Sequence, residues 1–149
     1  AVLARRPESL TWIIFNIGDS RVYLLRDAVL TQMSRDHSQV QALIDAGQLT
    51  PAQARRDPRK NVVTRALGAG LDQEAVPDIR TVDAQCGDRL LICSDGLSDE
   101  LDDEALATVL DAGMRPQHTA EAAVAAALEA GGHDNTTALV VDLVPESAL

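Results

Sequence analysis

The chain has 149 residues, the length of one domain, and a formal net charge of −10 at pH 7. This charge disfavours binding to a nucleic-acid backbone or to an anionic lipid surface, but it is compatible with divalent cations. No apolar stretch approaches the ~20 residues that a membrane-spanning helix needs, and no signal peptide is visible, so we expect no membrane insertion. The two cysteines, one of them inside an apolar run, are typical of a reducing cytoplasm rather than of a disulfide scaffold.

The first part of the chain predicts a sheet. Residues 10–15 form an apolar run rich in β-branched and aromatic side chains, which is typical of a buried strand. Turn residues at 16–20 end this strand, and residues 21–25 predict a second one. A turn at 26–28 then leads into a third strand over 29–33. The simplest arrangement of these elements is an antiparallel meander of three strands.

Residues 39–60 predict two short helices in a mobile surface excursion, because the segment is mostly polar. Ser38 can cap a helix over 39–46, and Thr50 can begin a second helix that ends before Pro58. The pattern leaves two interpretations of the basic residues open, a solvated face or a site for an anionic substrate. These basic residues are Arg55, Arg56, Arg59 and Lys60.

The rest of the chain predicts strands around two helices. Residues 77–82 alternate and indicate a strand that leads into residues 90–93, whose unbroken apolar run is typical of a strand buried on both faces. One helix begins with the acidic residues 102–104, and Thr119 can cap the next. Residues 136–144 predict the last strand. This order of elements indicates an α+β layer structure.

Four aspartates lie at or near the ends of predicted strands. Asp19 and Asp95 follow strands, Asp134 precedes the last strand, and Asp99 lies one helical turn after Asp95. If these strands are sheet neighbours, the carboxylates converge at one edge and repel one another unless a cation lies between them. Oxygen ligands without a Cys or His pair select Mg²⁺ or Mn²⁺ over zinc. The alternative for each aspartate alone is a turn or a helix cap.

Five motifs follow one another along the chain. They are Asn-Ile-Gly-Asp-Ser-Arg at 16–21, Arg-Asp-His-Ser at 35–38, Thr-Arg-Ala-Leu-Gly at 64–68, the run from Gly-Asp to Gly-Leu at 87–97, and Gly-His-Asp-Asn-Thr-Thr at 132–137. In this order the chain resembles the PP2C-type, metal-dependent serine/threonine phosphatases, above all the bacterial members. The resemblance covers essentially the whole chain. It implies a β-sandwich flanked by helical pairs, with a metal centre at one end of the sandwich.

The resemblance also implies roles for the aspartates. Asp95 and Asp134 match core metal ligands, and Asp19 and Asp99 match positions that hold a third, more weakly bound metal. The implied cofactor is Mn²⁺ or Mg²⁺, and the implied reaction is hydrolysis of phosphoserine and phosphothreonine in proteins by a metal-activated water. The implied partners are a phosphorylated protein and, as a candidate, a serine/threonine kinase. Residues 39–60 are similar to the flap beside the catalytic cleft.

The chain also departs from the family's pattern. Before the stretch that matches Leu10, family members carry a phosphate-binding Arg, an acidic metal ligand, and an Asp-Gly-x-Gly-Gly-His segment with a bridging Asp and a general-acid His. None of these is present, so no catalytic residue is identified, and His37 and His133 are interpreted as structural or solvent-facing. We therefore expect residues 1–149 to be one PP2C-like domain that is incomplete at its N-terminus, with apolar sheet surface exposed.

Three functions remain open. The chain can be part of an active phosphatase, a non-catalytic binding or regulatory module of the same fold, or a structural interaction domain in which the aspartates only shape turns. For the first of these we expect weak activity or none from the chain alone.

Overall fold

The computed structural model describes residues 1–5, 9–68 and 76–145. Within these residues the strands are β1 (Val2–Arg5), β2 (Leu10–Asn16), β3 (Arg21–Arg26), β4 (Val29–Gln32), β5 (Asp78–Asp83), β6 (Arg89–Cys93) and β7 (Ala138–Asp142). The helices are α1 (Gln39–Asp45), α2 (Pro51–Ala54), α3 (Asp95–Ser98), α4 (Asp103–Leu110) and α5 (Pro116–Ala130). The strands form two antiparallel sheets, in the orders β1-β2-β5 and β4-β3-β6-β7.

The two sheets pack face to face as a sandwich. Trp12 and Ile14 of β2 meet Val22 and Leu24 of β3 and Leu90 of β6 in one apolar core between the sheets. The opposite face of the four-stranded sheet packs against α3, α4 and α5 in a second core. The observed architecture is therefore α+β, as predicted, and in the described part of the chain the helices form a layer on one side of the sandwich.

The meander predicted for residues 10–33 is wrong. β3 and β4 form the predicted hairpin, but β2 lies in the other sheet, where it pairs with β1 and β5. The reason is that Trp12 and Ile14 face the apolar side of β3 across the sandwich, so the two apolar faces stack instead of lying side by side. For the same reason β5 pairs with β2, although it directly precedes β6 in the chain as the sequence predicted.

The prediction that residues 90–93 form a strand buried on both faces is confirmed. β6 pairs with β3 on one side and with β7 on the other. Its Leu90 packs into the core between the sheets, while Leu91 and Cys93 pack against the helices. Cys93 is buried, Cys86 is exposed, and both are free thiols.

The helices end close to the predicted boundaries, with one correction. Ser38 caps α1, and Thr50 with Gln53 forms the capping box of α2. Thr119 is not a cap, because α5 already begins at Pro116 and Thr119 is buried in its second turn. Proline is favoured at the first helical position, where its missing N–H costs no hydrogen bond.

The outer face of the three-stranded sheet exposes apolar side chains, as expected from the sequence. Phe15 pairs with Ile79 across β2 and β5, and these side chains are 49% and 65% exposed. Val2 of β1 lies on the same face and is 49% exposed. Among the described residues, no helix is long and apolar enough to cross a bilayer.

Candidate functional site

A cleft of about 560 Å³ opens between the α1–α2 segment and the beginning of α3 and α4. Three of the four predicted aspartates, Asp19, Asp95 and Asp99, line it. These residues come from the turn after β2 and from the helix after β6, which the chain brings together although they are far apart in sequence. The cleft is therefore the candidate functional site.

A hydrogen-bonded turn between β2 and β3 positions Asp19. The side chain of Asn16 donates to the carbonyl of Gly18 at 2.9 Å, and the backbone N–H of His37 donates to the same oxygen at 2.8 Å. In return the N–H of Gly18 donates to Nδ1 of His37 at 3.2 Å. Gly18 has a φ of +106°, a conformation that side chains disfavour. The turn therefore presents Asp19 in one orientation.

His37 is a structural residue, as the sequence predicted. Its side chain is 2% exposed, and its Nε2 lies 2.6 Å from Oδ2 of Asp78 at the beginning of β5. Because Nδ1 accepts a hydrogen bond from the N–H of Gly18, Nε2 is the nitrogen that donates to Asp78, and this hydrogen bond holds the pKa of Asp78 below its ordinary value. His133 is solvent-facing, also as predicted, and pairs with Glu100 at 2.8 Å.

Asp95 and Asp99 lie on one helical turn, as their spacing predicts. β6 ends at Cys93, Ser94 has the extended backbone of an N-cap, and α3 begins at Asp95. Oδ1 of Asp95 accepts from the N–H of Gly96 at 2.9 Å, and the N–H of Asp99 donates to the carbonyl of Asp95 at 2.8 Å. Both carboxylates therefore reach the same cleft.

The acidic side chains of the cleft are close enough to repel one another. Burial raises the pKa of Asp19, and the negative charge of Asp95 raises it further, with smaller contributions from Asp36 and Asp99. Asp36 is a member of this group that sequence reasoning missed. It is buried and forms a bidentate pair with Arg21, with the closest approach at 2.7 Å. The signal that could have found it is its place in the Arg-Asp-His-Ser motif.

Asp134 lies in a loop beside the cleft, and its carboxylate does not line it. The loop packs against α3, because the Ser94 hydroxyl donates to the carbonyl of Asn135 at 3.2 Å and the Thr136 hydroxyl donates to the carbonyl of Gly96 at 3.1 Å. The Asp134 side chain accepts the N–H of Asn135 at 2.6 Å, the same contact that Asp95 makes with the N–H of Gly96. Three of the four predicted aspartates therefore line the cleft, and the loop of the fourth packs against the helix that carries two of them.

The basic residues of the 39–60 segment connect it to α3. Arg55 donates to the carbonyls of Ser98 and Leu101, both at 3.0 Å. Nζ of Lys60 lies 2.7 Å from Oδ2 of Asp99. Neither sequence-based interpretation of these basic residues included this docking role.

Within the described part of the chain, no three His, Cys, Asp or Glu side chains are arranged to hold a metal ion. The metal-ligand roles of Asp19, Asp95, Asp99 and Asp134 therefore stay predictions.

Comparisons with known proteins add independent findings. A family model described as Stage II sporulation protein E (SpoIIE) matches residues 14–144. The chain is 43% identical over 133 residues to the serine/threonine protein phosphatase PstP of Mycobacterium tuberculosis, covering 88% of this chain and 25% of that protein. It is 37% identical over 130 residues to the serine/threonine phosphatase Stp of Listeria monocytogenes, covering 87% of this chain and 51% of that protein.

The structural match agrees with the sequence matches. The crystal structure of the catalytic domain of PstP in complex with two manganese ions superposes with a TM-score of 0.79 at 38% identity, covering 96% of this chain and 57% of that chain. The chain thus spans between a quarter and about half of the length of these two curated relatives. Its ordered motifs, its sandwich with one helical layer and these matches show that the chain belongs to the PP2C-type family of metal-dependent serine/threonine phosphatases.

Proposed function

We propose that this chain is part of a metal-dependent phosphatase that hydrolyses phosphoserine and phosphothreonine in proteins. The observation that carries the proposal is the cleft lined by Asp19, Asp95 and Asp99, in which burial and then the charge of Asp95 raise the pKa of Asp19. Negative groups that repel one another at the mouth of a cleft suit a bound cation. The relatives that the chain matches at 37% and 43% identity are named serine/threonine phosphatases, which supports the same reaction.

The residues present suit a hard divalent cation, because the acidic side chains offer only oxygen ligands. We propose Asp95 and Asp134 as ligands of the core metal pair, and Asp19 and Asp99 as ligands of a third metal. Mn²⁺ is the proposed ion, since the PstP structure contains manganese, and Mg²⁺ is the alternative. When bound, such metals neutralise the phosphoryl charge and lower the pKa of an attacking water.

The described residues position the acidic side chains of the cleft and form its wall. The hydrogen bonds between Gly18 and His37 hold the turn that contains Asp19. Asp95 lies at the cleft because α3 begins directly after the end of β6. Residues 39–60 form one wall of the cleft, so we propose that they act as a flap against which a phosphoprotein docks. The remaining acidic ligand, the phosphate-binding Arg and the general-acid His of the family have no counterpart in the sequence. We therefore propose that full turnover needs groups from outside residues 1–149.

The proposed partners are a phosphorylated protein substrate and a serine/threonine kinase that opposes the phosphatase. We propose the cytoplasm as the location, because Cys86 and Cys93 are free thiols. The net charge of −10 leads us to expect no nucleic-acid partner.

The second candidate function is a metal-binding regulatory module without turnover. The observation that favours it is that Asp19, Asp95 and Asp99 line the cleft, while the phosphate-binding Arg and the general-acid His of the family have no counterpart in the sequence. Metal binding without phosphate release would distinguish this module from the enzyme.

Mn²⁺ calorimetry tests the metal site. We expect saturable binding by the chain, and loss of that binding in Asp95→Asn and in Asp134→Asn. Asp111→Asn is the matched control, because Asp111 is exposed at the end of α4 and lines a different cleft. Absence of binding, or equal binding by Asp95→Asn and the control, would contradict the proposal.

Release of phosphate from a phosphothreonine peptide in Mn²⁺ tests the reaction. We expect slow release or none from the chain alone, and faster release when an Asp-Gly-x-Gly-Gly-His segment from a PP2C relative is supplied in a fused N-terminal half. Vigorous turnover by the chain alone would overturn the proposed need for outside groups, and a fused protein that binds Mn²⁺ without turnover would favour the regulatory module.

A further inference from the structure

A lysine of the 39–60 segment already neutralises one acid of the cleft. Nζ of Lys60 lies 2.7 Å from Oδ2 of Asp99, and the two side chains are 38% and 34% exposed. Asp99 shares the cleft with Asp19 and Asp95. The ion pair therefore places a cation of the chain itself on the acidic group that we propose to bind divalent ions.

Arg55 ties the same segment to α3 in a different way. Its guanidinium donates to the carbonyls of Ser98 and Leu101, both at 3.0 Å. These acceptors are backbone carbonyls, which carry no formal charge, and the side chains of Ser98 and Leu101 are buried. The acceptor of Lys60, by contrast, is the carboxylate of Asp99, which a metal ion can also bind.

We infer that Lys60 competes with a divalent cation for Asp99, so that metal binding at Asp99 releases Lys60 and loosens residues 51–60 from α3. This inference rests on the proposed metal-binding function. A divalent ion and an ammonium group repel each other when both contact one carboxylate. Because the Lys60–Asp99 pair is partly exposed, it is weak enough for a divalent ion to displace.

Docking of Lys60 on Asp99 and metal binding at Asp99 therefore weaken each other reciprocally. If docking of Lys60 lowers the affinity of Asp99 for a metal, metal binding lowers the docking of Lys60 by the same factor. Arg55 keeps its two carbonyl contacts throughout, so the segment stays attached at one point and is loosened at the other. Residues 51–60, which form part of the cleft wall, are therefore more mobile when the metal is bound than when it is absent.

The first test is Mn²⁺ calorimetry on Lys60→Gln. We expect this variant to bind Mn²⁺ about five-fold more tightly than the unmodified chain, which is the low end of ordinary coupling between two sites. Arg59→Gln is the matched control. It makes the same change in net charge one residue away, and Arg59 pairs with Asp57 of its own segment rather than with Asp99.

The second test measures amide hydrogen exchange, which is independent of enzymatic activity and of a fitted metal affinity. Amide hydrogen exchange over residues 51–60 is measured with and without Mn²⁺. We expect Mn²⁺ to speed exchange in the unmodified chain and in Arg59→Gln. In Lys60→Gln and in Asp99→Asn we expect fast exchange without metal and no further response to Mn²⁺.

The outcomes separate this inference from the function on which it rests. Equal Mn²⁺ affinities for Lys60→Gln and Arg59→Gln, with binding still lost in Asp95→Asn, overturn the role of Lys60 alone. The role of Lys60 is also overturned if the amide exchange rates over residues 51–60 change neither on addition of Mn²⁺ nor in Lys60→Gln. Absence of Mn²⁺ binding in every form of the chain overturns the metal site and the inference together.

Discussion

The carboxylate of Asp19 is held where its charge is disfavoured. The hydrogen bonds of Asn16 and His37 fix the turn around Gly18, so the backbone at Asp19 is held beside the cleft that Asp95 also lines. Burial raises the pKa of Asp19, and the charges of Asp95, Asp36 and Asp99 act in the same direction. A carboxylate whose charge is disfavoured in the folded state is typical of a functional position.

Replacing Asp19 with Asn should therefore stabilise the metal-free chain. We expect Asp19→Asn to raise the free energy of unfolding near neutral pH by at most about 1 kcal/mol, because solvent screens a partly exposed group. A raised folded-state pKa means that the penalty is absent below the ordinary carboxyl pKa of about 4 and complete above the raised value. Urea unfolding in a chelator at acidic and neutral pH measures this difference.

Asp111→Asn, which changes an exposed carboxylate of a different cleft, is the control and should show no such gain. A loss of stability in Asp19→Asn near neutral pH would contradict the proposed repulsion.

The beginning of α3 and the loop before β7 act as one unit. Gly96 lies so close to the loop that an added Cβ would meet the carbonyl oxygen of Asn135 and lie 2.9 Å from its carbonyl carbon. The Thr136 hydroxyl bonds to the carbonyl of Gly96, and Ser94 bonds to the loop on the other side. This packing places Asp134 next to the helix that carries Asp95 and Asp99.

We expect Gly96→Ala to force the loop and α3 apart. The Cβ meets backbone atoms, which cannot rotate away, so the variant should lose about 2 kcal/mol of stability, the ordinary cost of overpacking. It should also weaken Mn²⁺ binding, because Asp134 moves away from Asp95. Urea unfolding and Mn²⁺ calorimetry measure the two effects.

Gly113→Ala is the control for this change. Gly113 has a φ of +70° and no atom within 4 Å of an added Cβ. Its replacement should cost about 1 kcal/mol of backbone strain without changing Mn²⁺ affinity. Equal Mn²⁺ affinity for Gly96→Ala and Gly113→Ala would show that the contact between loop and helix does not position Asp134.

One buried carboxylate connects the two sheets of the molecule. The Asp88 side chain is fully buried, accepts from Nε1 of Trp12 in β2 at 2.8 Å, and pairs with Arg26 of β3 at 2.6 Å. Arg26 also donates to the carbonyl of Asp83 in β5 at 2.8 Å. Burial alone would raise the pKa of Asp88, but the hydrogen bonds from Arg26, the N–H of Gln85 and Trp12 outweigh it and hold the pKa below its ordinary value.

We expect Asp88→Asn to destabilise the whole sandwich. Removing one partner of a buried ion pair costs about 3 kcal/mol, because the other charge loses its counterion. A lowered folded-state pKa contributes stability above the unfolded value of about 4, and this contribution is lost as the pH falls below that value. The difference between the unmodified chain and Asp88→Asn should therefore be largest near neutral pH and shrink in acid.

Urea unfolding as a function of pH measures this dependence. Asp83→Asn is the matched control, because Arg26 contacts the backbone carbonyl of Asp83 and not its carboxylate. A difference that stays constant from neutral pH into acid would exclude the Asp88 carboxylate as its source.

Local patterns predicted most of the elements. The apolar run before Ser94 predicted a strand buried on both faces, and Thr50 with Gln53 predicted the capping box of α2. The helical spacing of Asp95 and Asp99 predicted two carboxylates on one side. These predictions succeed because each depends on backbone geometry within a few residues. The same reasoning failed at Thr119, where Pro116 starts the helix earlier.

The sequence by itself determined most of the strands and helices, though not β1, and it determined which faces are apolar and which family the motifs indicate. Only the tertiary structure decided that β2 leaves the sheet of β3, that the loop of Asp134 packs against α3, and that Lys60 reaches Asp99. The physical reason is that two apolar strand faces can be buried either side by side in one sheet or face to face in two. Contacts between residues far apart in the chain, such as Trp12 with Asp88, select one arrangement, and no local pattern encodes them.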